Sequence, residues 1–229
     1  MIEILYKSKN AVVVYKPPFV PSQPDPSGDD DMMTLTAKTL KDMGESDALW
    51  LVHRLDRVVG GLLAFARNKK SAAKLSELVA CGGISKEYLA VCEGEAPKGE
   101  LSDFLYKDAL KGKSFVTDRK RAGVKEAKLI STPLQKRDGD NGVRSLVKIE
   151  LITGRFHQIR AQLSSRSASI VGDGKYGSRD KLSASLALLA YRLSFKLFGD
   201  TVNVVSFPDL NNYPWSLFDK TAFDQLKGE

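Results

Sequence analysis

The sequence predicts an α+β fold, a mixed and mostly antiparallel sheet flanked by helices and loops. Short β-branched and aromatic runs recur in hairpin-like pairs, and a few stretches between them carry apolar residues at helical spacing. No stretch is rich enough in Pro, Gly or Ser to act as a linker, so one domain over residues 1–229 is expected. With 229 residues and 42% apolar content the chain can bury a sizeable core. Charged residues at 28% and aromatics at 8% exclude a disordered or low-complexity chain.

The elements follow in order. Ile2–Tyr6 and Ala11–Tyr15 read as strands separated by the polar Ser8-Lys9-Asn10. Lys16-Pro17-Pro18 stops the second, because consecutive prolines donate nothing to a ladder. Pro21 to Asp31 is a surface loop, and Thr34 is the expected N-cap of a helix reaching Met43. Two apolar runs, Leu49–Arg54 and Leu62–Ala66, flank a polar, glycine-bearing turn. A helix from Ser71 to Ala80 places Ala72, Leu75, Leu78 and Val79 on one face, and Cys81-Gly82-Gly83 ends it.

Glu87–Cys92 is a further strand, and Glu126–Thr132 pairs with Ser145–Leu151 through the turn-rich residues 138–142. His157–Ser164 carries Ile159 and Leu163 at helical spacing. Leu186–Leu197 and Thr201–Phe207 form a last hairpin, and Trp215 to Leu226 closes the chain as an amphipathic helix.

No apolar run approaches the ~18 residues of a spanning helix, and the first ten residues lack the apolar core of a signal peptide. A cytoplasmic protein with no membrane partner is therefore expected. Cys81 and Cys92 form no CxxC, and the two histidines, His53 and His157, lie far apart in sequence, so no metal site is expected. The net charge of +7 is localised: Lys107 to Arg137 holds ten Lys and Arg against three acidic residues, an excess equal to that of the whole chain. Such a stretch favours a polyphosphate partner through counterion release, and a solvated lysine-rich face is the plain alternative.

Three segments could carry chemistry. In His53-Arg54-Leu55-Asp56-Arg57 a carboxylate stands between two arginines, followed by Gly60-Gly61 and the apolar Leu62–Phe65. Flanking cations keep an aspartate ionised, as a nucleophile or electrostatic stabiliser requires; a turn aspartate among surface arginines is the bland alternative. In Thr153-Gly154-Arg155-Phe156-His157-Gln158-Ile159-Arg160, His157 and Arg160 share a helix face and could grip phosphate or carboxylate. In Lys86-Glu87-Tyr88-Leu89-Ala90-Val91 a tyrosine lies on a strand, where such residues usually pack.

In this order the three segments resemble the motifs of the RluA-like family of RNA pseudouridine synthases. HRLD, followed after a short stretch by GLLAFAR, looks like that family's catalytic-aspartate motif. Lys86 to Val91 is similar to its KxYxAxV strand, Thr153 to Arg160 to its TGRxHQIR motif, and Ile170 to Gly177 to its I-x-GDxxYG motif. His53 stands where the sister RsuA-like family has glycine. The likeness extends over about residues 1 to 220.

The resemblance implies a pseudouridine-synthase-like fold with a catalytic cleft across the sheet, and an isomerase that converts a specific uridine of ribosomal or transfer RNA to pseudouridine. By resemblance Asp56, Tyr88 and Arg155 are the catalytic residues, with Asp56 acting at the nucleoside, Arg155 pairing with it and Tyr88 packing on the base. Arg54 matches the arginine that fills the stack vacated by the flipped uridine, and His53, Arg57, Lys86, His157 and Arg160 are expected to bind RNA around it. No cofactor, no metal and no obligate protein partner are implied; a monomer is expected, with no S4 domain before the first strand. The chain departs from the family at Val58-Val59 (usually Thr-Ser), Phe156 (often Thr), Ala161-Gln162-Leu163 (usually Val-His-Leu) and Leu189 (often His). Those departures motivate a second reading, a catalytically weak RNA-binding protein on the same scaffold. A glycoside hydrolase would need a second carboxylate facing Asp56, and the motifs offer none.

Overall fold

The computed structural model describes residues 2–139, 142–180, 182 and 185–228. In chain order the elements are β1 (Ile4–Lys7), β2 (Ala11–Lys16), α1 (Met32–Asp42), β3 (Trp50–Leu51), β4 (Gly60–Ala66), α2 (Lys69–Cys81) and β5 (Ile84–Glu93). They continue as β6 (Gly99–Asp108), β7 (Lys113–Val116), β8 (Val124–Arg137), β9 (Arg144–Leu151), α3 (Gln158–Ser164), β10 (Leu188–Leu197), β11 (Asp200–Val205) and α4 (Lys220–Asp224). Among the described residues, mixed, mostly antiparallel strand pairing with four α-helices makes this an α+β fold, as the sequence predicts. Among the described residues no helix is long and apolar enough to cross a membrane.

The chain divides into two compact units, residues 1–85 with 190–206, and residues 86–189 with 207–229. In the first, the strand order is β1-β2-β4-β10, with β11 on β10 and β3 on β4. Side chains of a strand alternate between faces, and here both faces are covered. Ala11 and Val13 join Leu62, Ala64, Leu75 and Phe195 on one face; Val12 and Val14 join Met32, Leu40, Leu63 and Phe65 on the other. Burial on both faces is why β2 and β4 read as unbroken apolar runs. Gly61 sits at φ +120, and a Cβ there would lie 2.3 Å from the Ala190 carbonyl oxygen. Only glycine admits that approach of β10 to β4.

In the second unit the order is β5-β9-β8-β6-β7, all antiparallel. One face of its outer strands is closed by Ala161 of α3 and by Tyr176, packed with Leu105 and Ala127. Beyond β11 the chain returns to this unit, where the Asp219 N–H donates to Gln135 Oε1 at 2.9 Å.

Three expectations need correction, and one hairpin goes beyond them. The N-cap of α1 is Asp31, not Thr34: Asp31 Oδ1 accepts the N–H groups of Met33 and Thr34 at 2.9 and 3.1 Å. The Glu126–Thr132 strand is longer at both ends (β8), and Asp140 and Asn141 of the predicted turn lie outside the described residues. The predicted helix from Trp215 to Leu226 is interrupted by extended backbone at Phe218 and reduced to a single short α-helix between 3-10 turns. The β6–β7 hairpin has no counterpart in the sequence reading, because charged residues interrupt β6 and β7 is only four residues long.

Candidate active site

Asp56 lies in the loop between β3 and β4, and the residues on both sides of it are anchored. On one side, Ser22 Oγ donates to the Leu55 carbonyl at 3.0 Å and accepts the Leu55 N–H at 3.1 Å. On the other, the Arg57 carbonyl accepts from the Phe19 N–H at 2.7 Å and from Lys16 Nζ at 3.0 Å. The Val59 N–H closes the turn on the Asp56 carbonyl at 2.9 Å. These backbone bonds hold the turn although Val58-Val59 replace the usual hydroxyl pair. The loop from Lys16 to Ser22 therefore grips the aspartate segment from outside, through groups that do not depend on the segment's own side chains.

Lys16 is the centre of that grip. It is fully buried, and its ammonium also donates to the carbonyls of Pro17 and Val20 at 3.0 and 2.7 Å. Three acceptors match the three N–H bonds of an ammonium. Burial nonetheless pushes its pKa down to about 7, against the pull of the Asp56 carboxylate, with Arg57 adding to the depression. Phe19 pays for its bond to Arg57 with backbone strain, since it stands at φ 68 with its ring half exposed.

The other residues of this segment have distinct settings. His53 Nε2 accepts the Ala64 N–H at 3.2 Å, so that nitrogen is engaged with β4. Arg54 is exposed. Arg57 is exposed too, but its guanidinium is drawn to Asp29, Asp25 and Ser27 of the preceding loop. That neutralises part of the charge expected to meet RNA, although exposed pairs of this kind yield readily.

In the second unit, Tyr88 stands on β5 opposite Ile149 of β9 and is buried. Lys86, on the same strand, is half-buried and its pKa is lowered by desolvation; its Nζ lies 3.7 Å from where a Cβ on Gly154 would be. The turn carrying Arg155 is stapled to β8. Thr153 Oγ1 accepts the Lys128 N–H at 2.8 Å, and Gln158 accepts from Thr153 Oγ1 and the Arg155 N–H at 2.8 and 3.0 Å. Arg155 is exposed, and its Nε donates to the Glu126 carbonyl at 2.8 Å, which orients the guanidinium from its root.

His157 and Arg160 do not meet the expectation of a cationic pair on an open helix face. Arg160 is buried, and Nε and Nη2 bond the Asp173 carboxylate at 2.7 and 2.8 Å. The carboxylate it grips belongs to the protein. His157 occupies the N-cap of α3 at φ 52, stacked on Phe156 with ring centroids 3.8 Å apart. Its Nδ1 lies 3.1 Å from the Tyr176 hydroxyl, which itself accepts the Ser114 N–H at 2.8 Å. Burial, with Arg160, Lys175 and Lys107 nearby, pushes the His157 pKa down to about 3, so it is no cation at neutral pH. The two motifs, Thr153–Arg160 and Ile170–Gly177, thus meet as one internal block.

Two features escaped the sequence reading: the Lys16 anchor, read there only as the end of a strand, and a row of aromatic residues on β6 and β7. The alternation Phe104-x-Tyr106 within a lysine-rich stretch was the available signal for the second. Among the described residues no group of three or more His, Cys, Asp or Glu could hold a metal ion.

Comparison with known proteins places this geometry in a family. Residues 10–165 match the family described as RNA pseudouridylate synthase. A Haemophilus influenzae protein named as an uncharacterized RNA pseudouridine synthase is 28% identical over 99% of this chain and 95% of its own length. The ribosomal large subunit pseudouridine synthase D of Borreliella burgdorferi is 28% identical over 86% of this chain, which spans 60% of that relative. The human RNA Pseudouridylate Synthase Domain Containing 1 shares the fold, with a TM-score of 0.76 at 20% identity, covering 100% of this chain and 96% of the human one. The chain belongs to the RNA pseudouridylate synthase family, in its RluA-like branch, and is an enzyme of the isomerase class that family comprises.

Proposed function

We propose that this enzyme converts a specific uridine in structured ribosomal or transfer RNA to pseudouridine, acting as a cytoplasmic monomer by base flipping and an essential Asp56. The observation that carries the reading is the two-sided anchoring of the Asp56 turn, by Ser22 on Leu55 and by Lys16 and Phe19 on Arg57. A carboxylate that acts on a nucleoside must be held in place before the substrate arrives, and anchored flanks supply that preorganisation.

The isomerisation breaks the bond from C1′ to N1 of uracil and forms one from C1′ to C5; C5 loses its proton to solvent and N1, freed from the sugar, takes one up. Asp56, ionised, serves at the electron-poor C1′ or as the covalent partner. By resemblance to the family, Arg155 is the arginine that keeps such a carboxylate charged, Tyr88 the tyrosine that packs against the uracil, and Arg54 the arginine that fills the vacated place in the stack. Extruding the base costs a few kcal/mol, offset by phosphate contacts and stacking. Both units, taken together, constitute one catalytic domain in this reading.

The test is tritium release from RNA carrying label at uridine C5, without added nucleotide. Release accompanied by pseudouridine in the nucleoside digest supports the proposal; free uracil and an abasic product would replace it with hydrolysis. Val58-Val59 in the aspartate turn favours one other reading, a scaffold that binds RNA and scarcely turns it over. Tight RNA binding with no tritium released from any RNA would establish that reading instead.

A further inference from the structure

The outer strands of the second unit have two unlike faces. Leu101 and Leu105 of β6 are buried, and Leu105 packs beneath α3. The alternate residues Phe104 and Tyr106 point to the opposite face, and Phe115 of β7 is the cross-strand partner of Tyr106. Phe104 is 36% exposed, a surface position unusual for its type. Val124 of β8 stands opposite Tyr106, and cations lie close to each of the rings. The Arg121 guanidinium lies 3.9 Å above the Tyr106 ring, Lys120 Nζ is 5.6 Å from Phe104, and Lys111 Nζ is 5.6 Å from Phe115. Lys120 and Arg121 lie within the segment that holds the chain's entire positive excess.

We propose that this face, with Phe104, Tyr106 and Phe115 set among Lys120, Arg121 and Lys111, is a docking track for the unpaired RNA segment flanking the modified uridine. The inference rests on the isomerase reading for the identity of that uridine, while the track itself is defined by binding alone. Rings two residues apart on a strand are separated by about 7 Å, which lets one base of an opened strand stack on Phe104 and the next on the Arg121 guanidinium that covers Tyr106. Cations beside each ring hold the phosphates that link those bases. A duplex would present phosphates but no open base faces, and a protein partner would need a broader apolar patch than three rings ringed by lysines. The track also leads to the motif arginine: Glu126, opposite Phe104 in the β6–β8 register, is the residue whose carbonyl holds Arg155 Nε.

The experiment is fluorescence anisotropy of a labelled oligouridylate titrated with the full chain. Phe104→Ala is expected to raise Kd by about 5-fold or more, and Phe104→Tyr to restore it, because a tyrosine ring also stacks. Arg121→Ala is expected to weaken binding and to lower the slope of log K against log salt by about 0.7. Lys74→Ala on α2, which removes a charge outside the track, is expected to leave both quantities unchanged. An unlabelled RNA duplex should compete poorly.

Wild-type affinity in Phe104→Ala would overturn the track, as would a duplex competing as well as a single strand. If tritium release fails while Phe104→Ala loses binding, the track stands and the isomerase reading falls. If release proceeds and Phe104→Ala binds normally, the reverse holds.

Discussion

The Asp56 loop and the Arg155 turn are both short irregular segments, yet they are stabilised by different means. Around Asp56 the anchors come from another loop and act on backbone carbonyls and N–H groups, so Asp56 and Arg54 owe their placement to residues 16–22. Around Arg155 the motif's own side chains do the holding: Gln158 braces the turn, while Arg160 and His157 lock into Asp173 and Tyr176. Two arginines five residues apart therefore play opposite parts, one buried in an ion pair and one exposed. The lesson is that a motif mixes residues that build a site with residues that act in it, and burial separates them.

Breaking the buried pair should have the largest effect on stability. Arg160→Met leaves the Asp173 carboxylate interior and uncompensated, and is expected to lower the unfolding free energy by about 3–5 kcal/mol in urea titration. Arg155→Leu, at an exposed position, should change it by no more than about 0.5 kcal/mol while sharply reducing turnover. Equal stability losses in the two variants would erase the distinction between building and acting residues.

Next comes the anchor of the aspartate loop. Lys16→Met strands three carbonyls and is expected to destabilise by about 1–3 kcal/mol, and to reduce turnover through displacement of the Asp56 turn. The lysine also has a pH signature. Its native pKa of about 7 lies below that of an unfolded lysine, so between about pH 7 and 10 the unfolded chain binds the extra proton. On this group's account stability rises with pH through that window, and the rise should be missing in Lys16→Met.

His157 gives the corresponding signature on the acid side. With a native pKa of about 3 and an unfolded value near 6.5, the unfolded state binds more protons between those limits. Stability should fall as pH drops from about 6.5 toward 3. His157→Asn keeps a residue suited to positive φ and should flatten that fall, as measured by denaturant midpoints across the range. The smallest expected effect is a gain: Phe19→Gly relieves a bulky residue at positive φ and should add about 1 kcal/mol of stability.

How much of this was legible in the sequence depended on what each element buries. β2 and β4 are buried on both faces, so their apolar runs were plain. β6 carries charged residues among its alternating positions and exposes an aromatic, which hides a strand within a basic stretch. The true cap of α1 is the last of three consecutive aspartates, and nothing local distinguishes it from Thr34. Asp56, Tyr88 and Arg155 were legible through their motif contexts. The inward turn of Arg160 was not, because its partner Asp173 lies in a different motif and only folding joins them. Lys16 was hidden for a similar reason: its acceptors are backbone carbonyls, which leave no mark in the sequence.

The central claim, that Asp56 is the group acting on the nucleoside, is tested most directly by pseudouridine formation in Asp56→Asn at saturating RNA, with the circular dichroism spectrum and unfolding midpoint recorded alongside. The account predicts a folded protein that binds RNA and forms no pseudouridine. Undiminished pseudouridine formation by that folded variant would contradict it.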